Sequence, residues 1–152
     1  MRLSPIVITA FILAASCSSS DSSSDDAVTD ATLQAFGDTL CTKTQQCAGE
    51  FTIRTPYGSL EVCKTRQMTQ RRLEKAAPGF TVKEGPAKQC VTAIQNLACD
   101  QLVAGATPAE CKFKGTLALG AKCIADTQCA SSSCFVAEGS SCGACTAVAL
   151  EN

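Results

Sequence analysis

The sequence contains neither histidine nor tryptophan in its 152 residues. Histidine is the commonest general base and a usual zinc ligand, so its absence excludes a Ser-His-Asp triad built from this chain alone. The formal net charge is −1, and this balance gives no general attraction to nucleic acid. The acidic residues of the expected folded part do not cluster as a catalytic pair would. We therefore expect a protein that is not an enzyme, without a cofactor or resident metal and without a nucleic acid partner.

Long hydrophobic runs are also missing, and the most apolar stretch lies at the start of the chain. Residues 1–17 read MRLSPIVITAFILAASC, in which Arg2 precedes an apolar run from Ile6 to Ala15 that only Thr9 interrupts. This run is too short for a stable membrane-spanning helix, which needs about 20 residues. It is typical of a signal-peptide core, with small residues at the cleavage site. The sequence therefore predicts an export signal over residues 1–16.

The segment Ala14-Ala15-Ser16-Cys17 resembles the lipobox of bacterial lipoproteins, although alanine stands at position 14 where leucine is commonest. The resemblance implies that Cys17 is lipidated and becomes the mature N-terminus, which anchors the chain in a membrane. Ser18 after the cysteine implies sorting to an outer membrane, facing the periplasm or the cell exterior. The alternative is an ordinary secretory signal cut after Ala15 or Ser16, with Cys17 unmodified.

Residues 17–29 are expected to form a flexible tether. The segment from Ser18 to Asp26 reads SSSDSSSDD and contains no apolar residue. Such a composition cannot bury enough apolar surface to offset the entropy lost on ordering, so we expect disorder. The sequence thus predicts a domain held at some distance from its membrane anchor.

Eleven of the twelve cysteines follow Cys17. In an exported protein, a dense set of cysteines is a disulfide framework. Because eleven is odd, at most five bridges form, and we expect Cys145, near the C-terminus, to be left unpaired. The unpaired cysteine is free, links two chains as a disulfide-bonded dimer, or has lost its partner through a truncated reading frame. The disulfide candidates are Cys41, Cys47, Cys63, Cys90, Cys99, Cys111, Cys123, Cys129, Cys134, Cys142 and Cys145.

The first part of the folded region is predicted to be helical. Apolar residues recur at helical spacing over residues 30–111, and we expect a disulfide-stapled three-helix bundle there. Glycine and proline punctuate this pattern at the expected helix ends, and Ser59 is a suitable N-cap. The three helices are expected at about Asp30–Gly49, Ser59–Ala77 and Pro86–Leu102, with a loop over residues 50–58.

Helical geometry restricts the bridge pattern without fixing it. Cys90 and Cys99 are nine residues apart, which places them on opposite sides of one helix, so they should bond to different partners. Connectivity cannot be deduced from spacing alone. The candidate pairs are Cys47–Cys63, and Cys99 with either Cys111 or Cys41.

Residues 112–152 have a different character. KFKGTLALG (residues 112–120) predicts a short strand or hairpin, and five cysteines then follow between small polar residues. That spacing leaves no room for a hydrophobic core, so bridges must hold an irregular, cysteine-knotted module. The segment resembles Dickkopf-type cysteine-rich repeats and the C-terminal part of cysteine-rich lipoproteins common in myxobacteria. This resemblance implies no particular functional residues. The fold class predicted for the whole chain is small, mostly α and disulfide-rich.

Three further patterns suggest chemistry, and each has a plainer explanation. Cys142-Gly-Ala-Cys145 matches the C-x-x-C of thiol oxidoreductases. The simpler interpretation is that the two cysteines form structural disulfides of the module. Four closely spaced cysteines suit zinc, but their spacing is irregular and the compartment is oxidising, so we expect no metal. The second helix carries a basic face that suits a polyanion, or else is an ordinary solvated face. That face consists of Lys64, Arg66, Arg71, Arg72 and Lys75.

Taken together, these patterns predict a non-enzymatic cell-envelope lipoprotein. Its disulfide-stabilised domain would have a structural role or would bind a surface protein or polysaccharide. One alternative is an extracytoplasmic thiol-redox helper that uses Cys142 and Cys145. A second alternative is a polyanion-binding module that uses the second helix.

Overall fold

A computed structural model describes residues 26–147 of the chain. This part is mostly helical and carries several disulfides, which confirms the predicted small, disulfide-rich α class. A small antiparallel sheet follows the helices. The helices are α1 Asp30–Ala48, α2 Glu50–Tyr57, α3 Leu60–Ala76, α4 Glu84–Asn96 and α5 Cys99–Val103, and the strands are β1 Lys122–Cys123, β2 Cys134–Phe135 and β3 Gly143–Cys145.

Helix α1 is the central element of the helical part. Thr29 caps it by accepting a hydrogen bond from the backbone N–H of Thr32 at 3.3 Å. The helix ends at Gly49, as predicted, where a φ of 87° suits glycine. Gly37 allows α3 to approach closely, since a Cβ there would lie 3.2 Å from the Cβ of Gln67. Helix α1 therefore packs against both α3 and α4.

The predicted loop over residues 50–58 is wrong, because this segment forms helix α2. Ile53 of this helix is 1% exposed and packs on Cys41 and Cys63, which are joined by a disulfide. Burial of this side chain outweighs the helix-breaking tendency of Pro56, which lies in the last turn. Tertiary contact, which local sequence does not encode, thus decides the conformation of this segment.

The predicted third helix also differs from the structure. Helix α4 begins at Glu84, two residues before Pro86, and ends at Asn96. Leu97 and Ala98 are extended, and α5 is a separate short helix. The break lets Cys99 bond to Cys47 at the far end of α1. The part of the chain that the structure describes therefore has five α-helices where the sequence predicts three.

Residues 26–29, which the sequence assigns to the tether, are packed against the domain. Val28 is 1% exposed and lies in a cluster with Leu33 and Ala87. The Asp26 carboxylate lies 2.7 Å from the Nζ atom of Lys83, and this hydrogen bond raises the pKa of the lysine. Residues 26–29 therefore belong to the folded domain rather than to the predicted tether.

Glu84 joins the start of α4 to the start of α1. Its carboxylate accepts hydrogen bonds from the Thr32 hydroxyl and from the backbone N–H of Thr29, the latter at 2.6 Å. Lys88, one turn later, lies 3.0 Å from the same carboxylate. The hydrogen bond from Thr32, followed by that from Thr29, lowers the pKa of Glu84 to about 2.

This lowered pKa predicts a specific loss of stability in acid. A carboxylate with a folded pKa below its ordinary value stabilises the fold above that ordinary value, here 4.5. We expect the contribution, about 1–2 kcal/mol after allowing for partial solvent exposure, to be lost as the pH falls from 4.5 towards 2. Urea unfolding of Glu84→Gln should lack this step, whereas Glu110→Gln, at an exposed site, should retain it. An unchanged step in Glu84→Gln would contradict the assignment.

The C-terminal module contains a three-stranded sheet of order β1-β3-β2, with both pairs antiparallel. Gly143 is required in β3, because a Cβ there would lie 2.1 Å from the carbonyl oxygen of Phe135. The strand or hairpin predicted over residues 112–120 is wrong. Residues 112–120 are irregular, with a single parallel bridge between Leu117 and Cys129.

Gln128 attaches this module to the helical part. Its side chain is 2% exposed and donates a hydrogen bond of 2.7 Å to the carbonyl of Pro78. The same amide accepts from the backbone N–H groups of Ile124 and Ala125. Backbone hydrogen bonds beside it, such as Thr116 N–H to the Gly79 carbonyl at 3.0 Å, extend the contact. The two parts of the domain thus meet along the turn that follows α3.

Candidate functional site

The structure joins ten cysteines of residues 26–147 in five disulfides and leaves Cys142 without a disulfide partner there. The expectation that Cys145 is unpaired is therefore wrong, as is the candidate pair Cys47–Cys63. Cys90 and Cys99 do bond to different cysteines, but neither candidate for Cys99 is its partner. The pairs are Cys41–Cys63, Cys47–Cys99, Cys90–Cys111, Cys123–Cys134 and Cys129–Cys145.

The disulfides supply much of the buried core. One buried cluster combines Cys41 and Cys63 with Ile53. Another consists of Cys123, Cys129 and Cys145. Sulfur atoms here occupy positions that larger apolar side chains fill in other proteins, so the bridges are both cross-links and core.

The C-x-x-C pattern does not form a dithiol pair. Cys145 is 2% exposed and bonded to Cys129, while Cys142 is half-buried and unpaired among the described residues. A redox-active C-x-x-C needs both sulfurs together, usually at the N-terminus of a helix. Here both cysteines lie at or beside strand β3. This geometry disfavours the thiol-redox alternative.

Two other patterns in this module also have structural explanations. The sulfur atoms of Cys123, Cys129 and Cys134 lie within 4.8 Å of one another. All three belong to disulfides, and a disulfide sulfur is not the thiolate that zinc requires.

Residues 139–143 read GSSCG, a G-x-S-x-G match that our sequence reasoning missed. It lies before a short strand rather than between a strand and a helix, so it lacks the geometry of a nucleophile elbow.

The basic residues of α3 mostly have partners within the domain. Lys64 lies 3.0 Å from Glu61, and this hydrogen bond raises the pKa of the lysine. Arg72 and Lys75 both pair with Asp30, at 2.7 Å and 3.6 Å. These three cations share two carboxylates, those of Glu61 and Asp30, so their charge is partly offset and their attraction to an external polyanion is weakened.

The remaining two arginines of α3 are held by other contacts. Arg66 donates to the carbonyl of Pro56 at 3.3 Å and lies over the ring of Tyr57. Arg71 turns inward and pairs with Glu74 at 2.7 Å. The five residues therefore do not form one free cationic surface, and the arrangement disfavours the polyanion-binding alternative.

Arg71 and Glu74 instead form one wall of a cavity of about 270 Å³. The cavity lies between α1, α4, α5 and the segment that leads into the C-terminal module. Its lining is mainly apolar, as is typical of sites for small molecules. The apolar side chains include Leu33, Phe36, Leu40, Ile94, Leu97 and Leu102.

The polar wall of the cavity, formed by Arg71 and Glu74, is more buried than charged residues usually are. The Glu74 residue is 3% exposed, and its carboxylate accepts hydrogen bonds from Arg71 and from Gln70, the latter at 3.0 Å. The Arg71 guanidinium also lies 4.7 Å from the centre of the Phe36 ring. The Nε atom of Arg71 and the hydroxyl of Thr127 are buried without a hydrogen-bond partner in the described part of the chain.

Sequence reasoning missed this cavity although it singled out Arg71. Arg71 and Glu74 are three residues apart on one helix, a spacing that is also common on solvated helix faces. Little in the local sequence distinguishes Arg71 and Glu74 from a pair on a solvated helix face. The two side chains lie in the interior because Phe36 of α1 and Thr127 of the C-terminal module pack beside them. These residues are distant in sequence, so only the fold brings them together.

The predicted lipidation site, Cys17, lies outside the described residues. Within residues 26–147, no helix combines the length and the apolar character needed to cross a membrane. No protein-family model, curated protein or solved structure matched the chain.

Proposed function

We propose that the chain is a non-enzymatic lipoprotein of the cell envelope, anchored through Cys17, whose disulfide-locked domain binds a ligand or partner outside the cytoplasm. The observation that carries the proposal is the set of five disulfides that cross-link the described residues. Such a framework needs an oxidising compartment, and the signal-like segment over residues 1–16 supplies a route to one.

The position at which the fold begins supports an anchored arrangement. Among the described residues, Val28 is the first buried one, and it lies two positions after the Ser/Asp segment that ends at Asp26. Residues 18–25 therefore separate Cys17 from the domain. An extended chain of this length spans up to about 25 Å, enough to hold the domain clear of a lipid headgroup layer.

Binding is favoured over catalysis by the chemistry of the side chains. The cavity wall offers one arginine, one glutamate and one threonine, and the chain has no histidine. The Arg71–Glu74 pair is engaged internally, so it is suited to holding a bound group rather than to moving a proton. The polyanion-binding alternative is not favoured, because most cations of α3 already have partners.

Intact-mass measurement of the protein purified from its own membranes tests this proposal. The expected mature chain begins at Cys17 and carries added acyl mass. A Cys17→Ser variant is the matched control, since it should lose both the acyl mass and the membrane association while keeping the five bridges. A mature chain that begins elsewhere or carries no acyl group would contradict the anchor.

A further inference from the structure

The small sheet of the C-terminal module has one buried face and one open face. The cysteines of its three strands project to one side, where they form the buried cluster of the module. The residues next to them in the strands, Lys122, Ala144 and Phe135, lie opposite one another in the antiparallel register. Because side chains alternate along a strand, these three project to the other side, which we call the open face. Phe135 is 65% exposed and Lys122 is exposed as well, so the rest of the described chain leaves this face largely uncovered.

A second apolar side chain lies beside the open face. The backbone N–H of Gly120 donates to the carbonyl of Cys145 at 2.8 Å, which places Leu119 next to the end of β3. Leu119 is 64% exposed. Single exposed apolar residues are ordinary on protein surfaces, but a group of them beside a cation marks a surface that a partner or a membrane covers.

The lysines of this module differ from the cations of the helical part. In the helical part, each described lysine and arginine either forms an ion pair or donates to a backbone carbonyl. Within residues 112–147, no lysine has an ion-pair partner or a side-chain hydrogen bond among the described residues. These exposed lysines are Lys112, Lys114 and Lys122. They outnumber the two acidic residues of the module, Asp126 and Glu138, so the positive charge that no carboxylate offsets is concentrated beside exposed apolar side chains.

The start of the described chain lies close to this module. Its first residues bridge and pair with Lys83. Two positions earlier, the hydroxyl of Thr81 donates to the carbonyl of Lys114 at 3.0 Å. Two residues of extended chain span about 7 Å, so Lys114 lies near the point at which residues 18–25 join the domain. A flexible linker of that length has a root-mean-square span of about 16 Å, so an anchor at Cys17 keeps the module close to lipid headgroups.

We infer that the open face, together with Leu119 and Lys114, docks on the anionic lipid surface of the membrane that holds the anchor. The lysines attract anionic headgroups, and Phe135 and Leu119 enter the boundary between headgroups and acyl chains. The inference rests on the proposed function, because the tether raises the local concentration of lipid so far that a weak contact is sufficient. A soluble polyanion would need the lysines without Phe135, and a second copy of the chain would need Phe135 without lipid.

Vesicle binding tests this inference with the anchor removed. The protein is the chain from residue 17 onwards carrying Cys17→Ser, with its five bridges verified by mass. Its partition coefficient is measured at about 20 mM salt on vesicles of equal parts phosphatidylglycerol and phosphatidylcholine, and on vesicles of phosphatidylcholine alone. The coefficient should be about tenfold or more larger on the anionic vesicles, and it should fall about fivefold or more when the salt is raised to about 150 mM.

An aromatic substitution shows whether the open face enters the lipid. Phe135→Ser should lower the partition coefficient on anionic vesicles about fivefold to tenfold, because an exposed apolar side chain is lost from the contact. Phe51→Ser is the matched control, since Phe51 of α2 is 79% exposed and lies outside the module. It should change the coefficient by less than about twofold. Both positions are on the surface, so neither variant removes a core contact.

Charge substitutions show whether the lysines of the module carry the attraction. Lys114→Gln/Lys122→Gln should lower the partition coefficient about tenfold to 25-fold, since each lysine near an anionic surface is worth about fivefold. Arg54→Gln/Arg72→Gln removes the same charge from exposed positions of α2 and α3. This control should lower the coefficient less than about threefold, because only the net charge of the chain changes.

The inference is overturned if anionic vesicles bind no more tightly than neutral ones. It is also overturned if Phe135→Ser has no effect while the lysine variant does, which would assign the lysines to a soluble polyanion. Self-association without lipid that Phe135→Ser abolishes would assign the open face to a second copy of the chain. None of these outcomes bears on lipidation, because the protein tested lacks Cys17. Conversely, a native chain without acyl groups would refute the anchor and leave the vesicle result standing.

Discussion

Replacing both Cys129 and Cys145 by alanine is expected to unfold the C-terminal module while leaving the helical part folded. The bridge joins residues 16 positions apart, and closing a loop of this size stabilises a fold by about 3 kcal/mol. Both cysteines are also buried in the same cluster as Cys123. The module has few other apolar residues to replace that contact, so it cannot tolerate the loss.

Hydrogen exchange measures this effect segment by segment. Backbone amides of β1 and β3 should lose their protection, whereas those of α1 and α3 should keep it, because no described disulfide joins the two parts. Cys142→Ala is the matched control: the residue is unpaired among residues 26–147, so stability should change by less than about 0.5 kcal/mol. Uniform loss of protection in both parts would show that they unfold as one unit.

Removing the Glu74 carboxylate should produce the second large effect. Glu74→Ala leaves the partly buried guanidinium of Arg71 without its anion, and losing one partner of a buried pair costs about 3–5 kcal/mol. Since the Arg71 side chain is 26% exposed, solvent screens part of this loss, and we expect about 2–3 kcal/mol. Chemical unfolding of the purified, oxidised domain measures it.

A comparison with an exposed ion pair shows whether burial, and not the distance between the charged groups, sets the loss of stability. Arg72 lies 2.7 Å from Asp30, the same distance as that between Arg71 and Glu74, but both partners are about half exposed. Arg72→Ala should therefore cost less than about 1 kcal/mol. The double variant Arg71→Met/Glu74→Met should recover most of the loss seen in Glu74→Ala. Equal losses for Glu74→Ala and Arg72→Ala would contradict the role assigned to burial.

Local signals in the sequence predict several helix ends correctly. Gly49 ends α1 with a positive φ, and Ser59 caps α3 by accepting from the backbone N–H of Val62. These features depend on residues close together in the chain, so the sequence contains enough information to find them. The mostly helical, disulfide-rich class follows from the same patterns together with the cysteine content.

Features that depend on distant residues could not be predicted in the same way. Helix α2 packs Ile53 against the Cys41–Cys63 bridge, and the break before α5 lets Cys99 bond to Cys47. The number of ways to pair eleven cysteines is too large for spacing to decide. Wrong helix boundaries and wrong bridge candidates thus have one cause, since the bridges help to set the path of the helices.

The candidate site illustrates the same limit. Arg71 is visible in the sequence as one of several basic residues of α3, and nothing local distinguishes it from Arg72. The difference arises from contact with Phe36 on α1 and from the proximity of Thr127, 56 positions later in the chain. Burial of one arginine and exposure of its neighbour therefore follow from the fold.

The intact mass of the protein from its own membranes, measured before and after full reduction, tests the central claim most directly. We predict a mature chain that begins at Cys17, carries acyl groups and gains ten hydrogens on reduction, with Cys142 as the one thiol that alkylates without reductant. A chain without acyl groups, or one in which several cysteines alkylate before reduction, would contradict the proposal of a disulfide-locked domain anchored in the cell envelope.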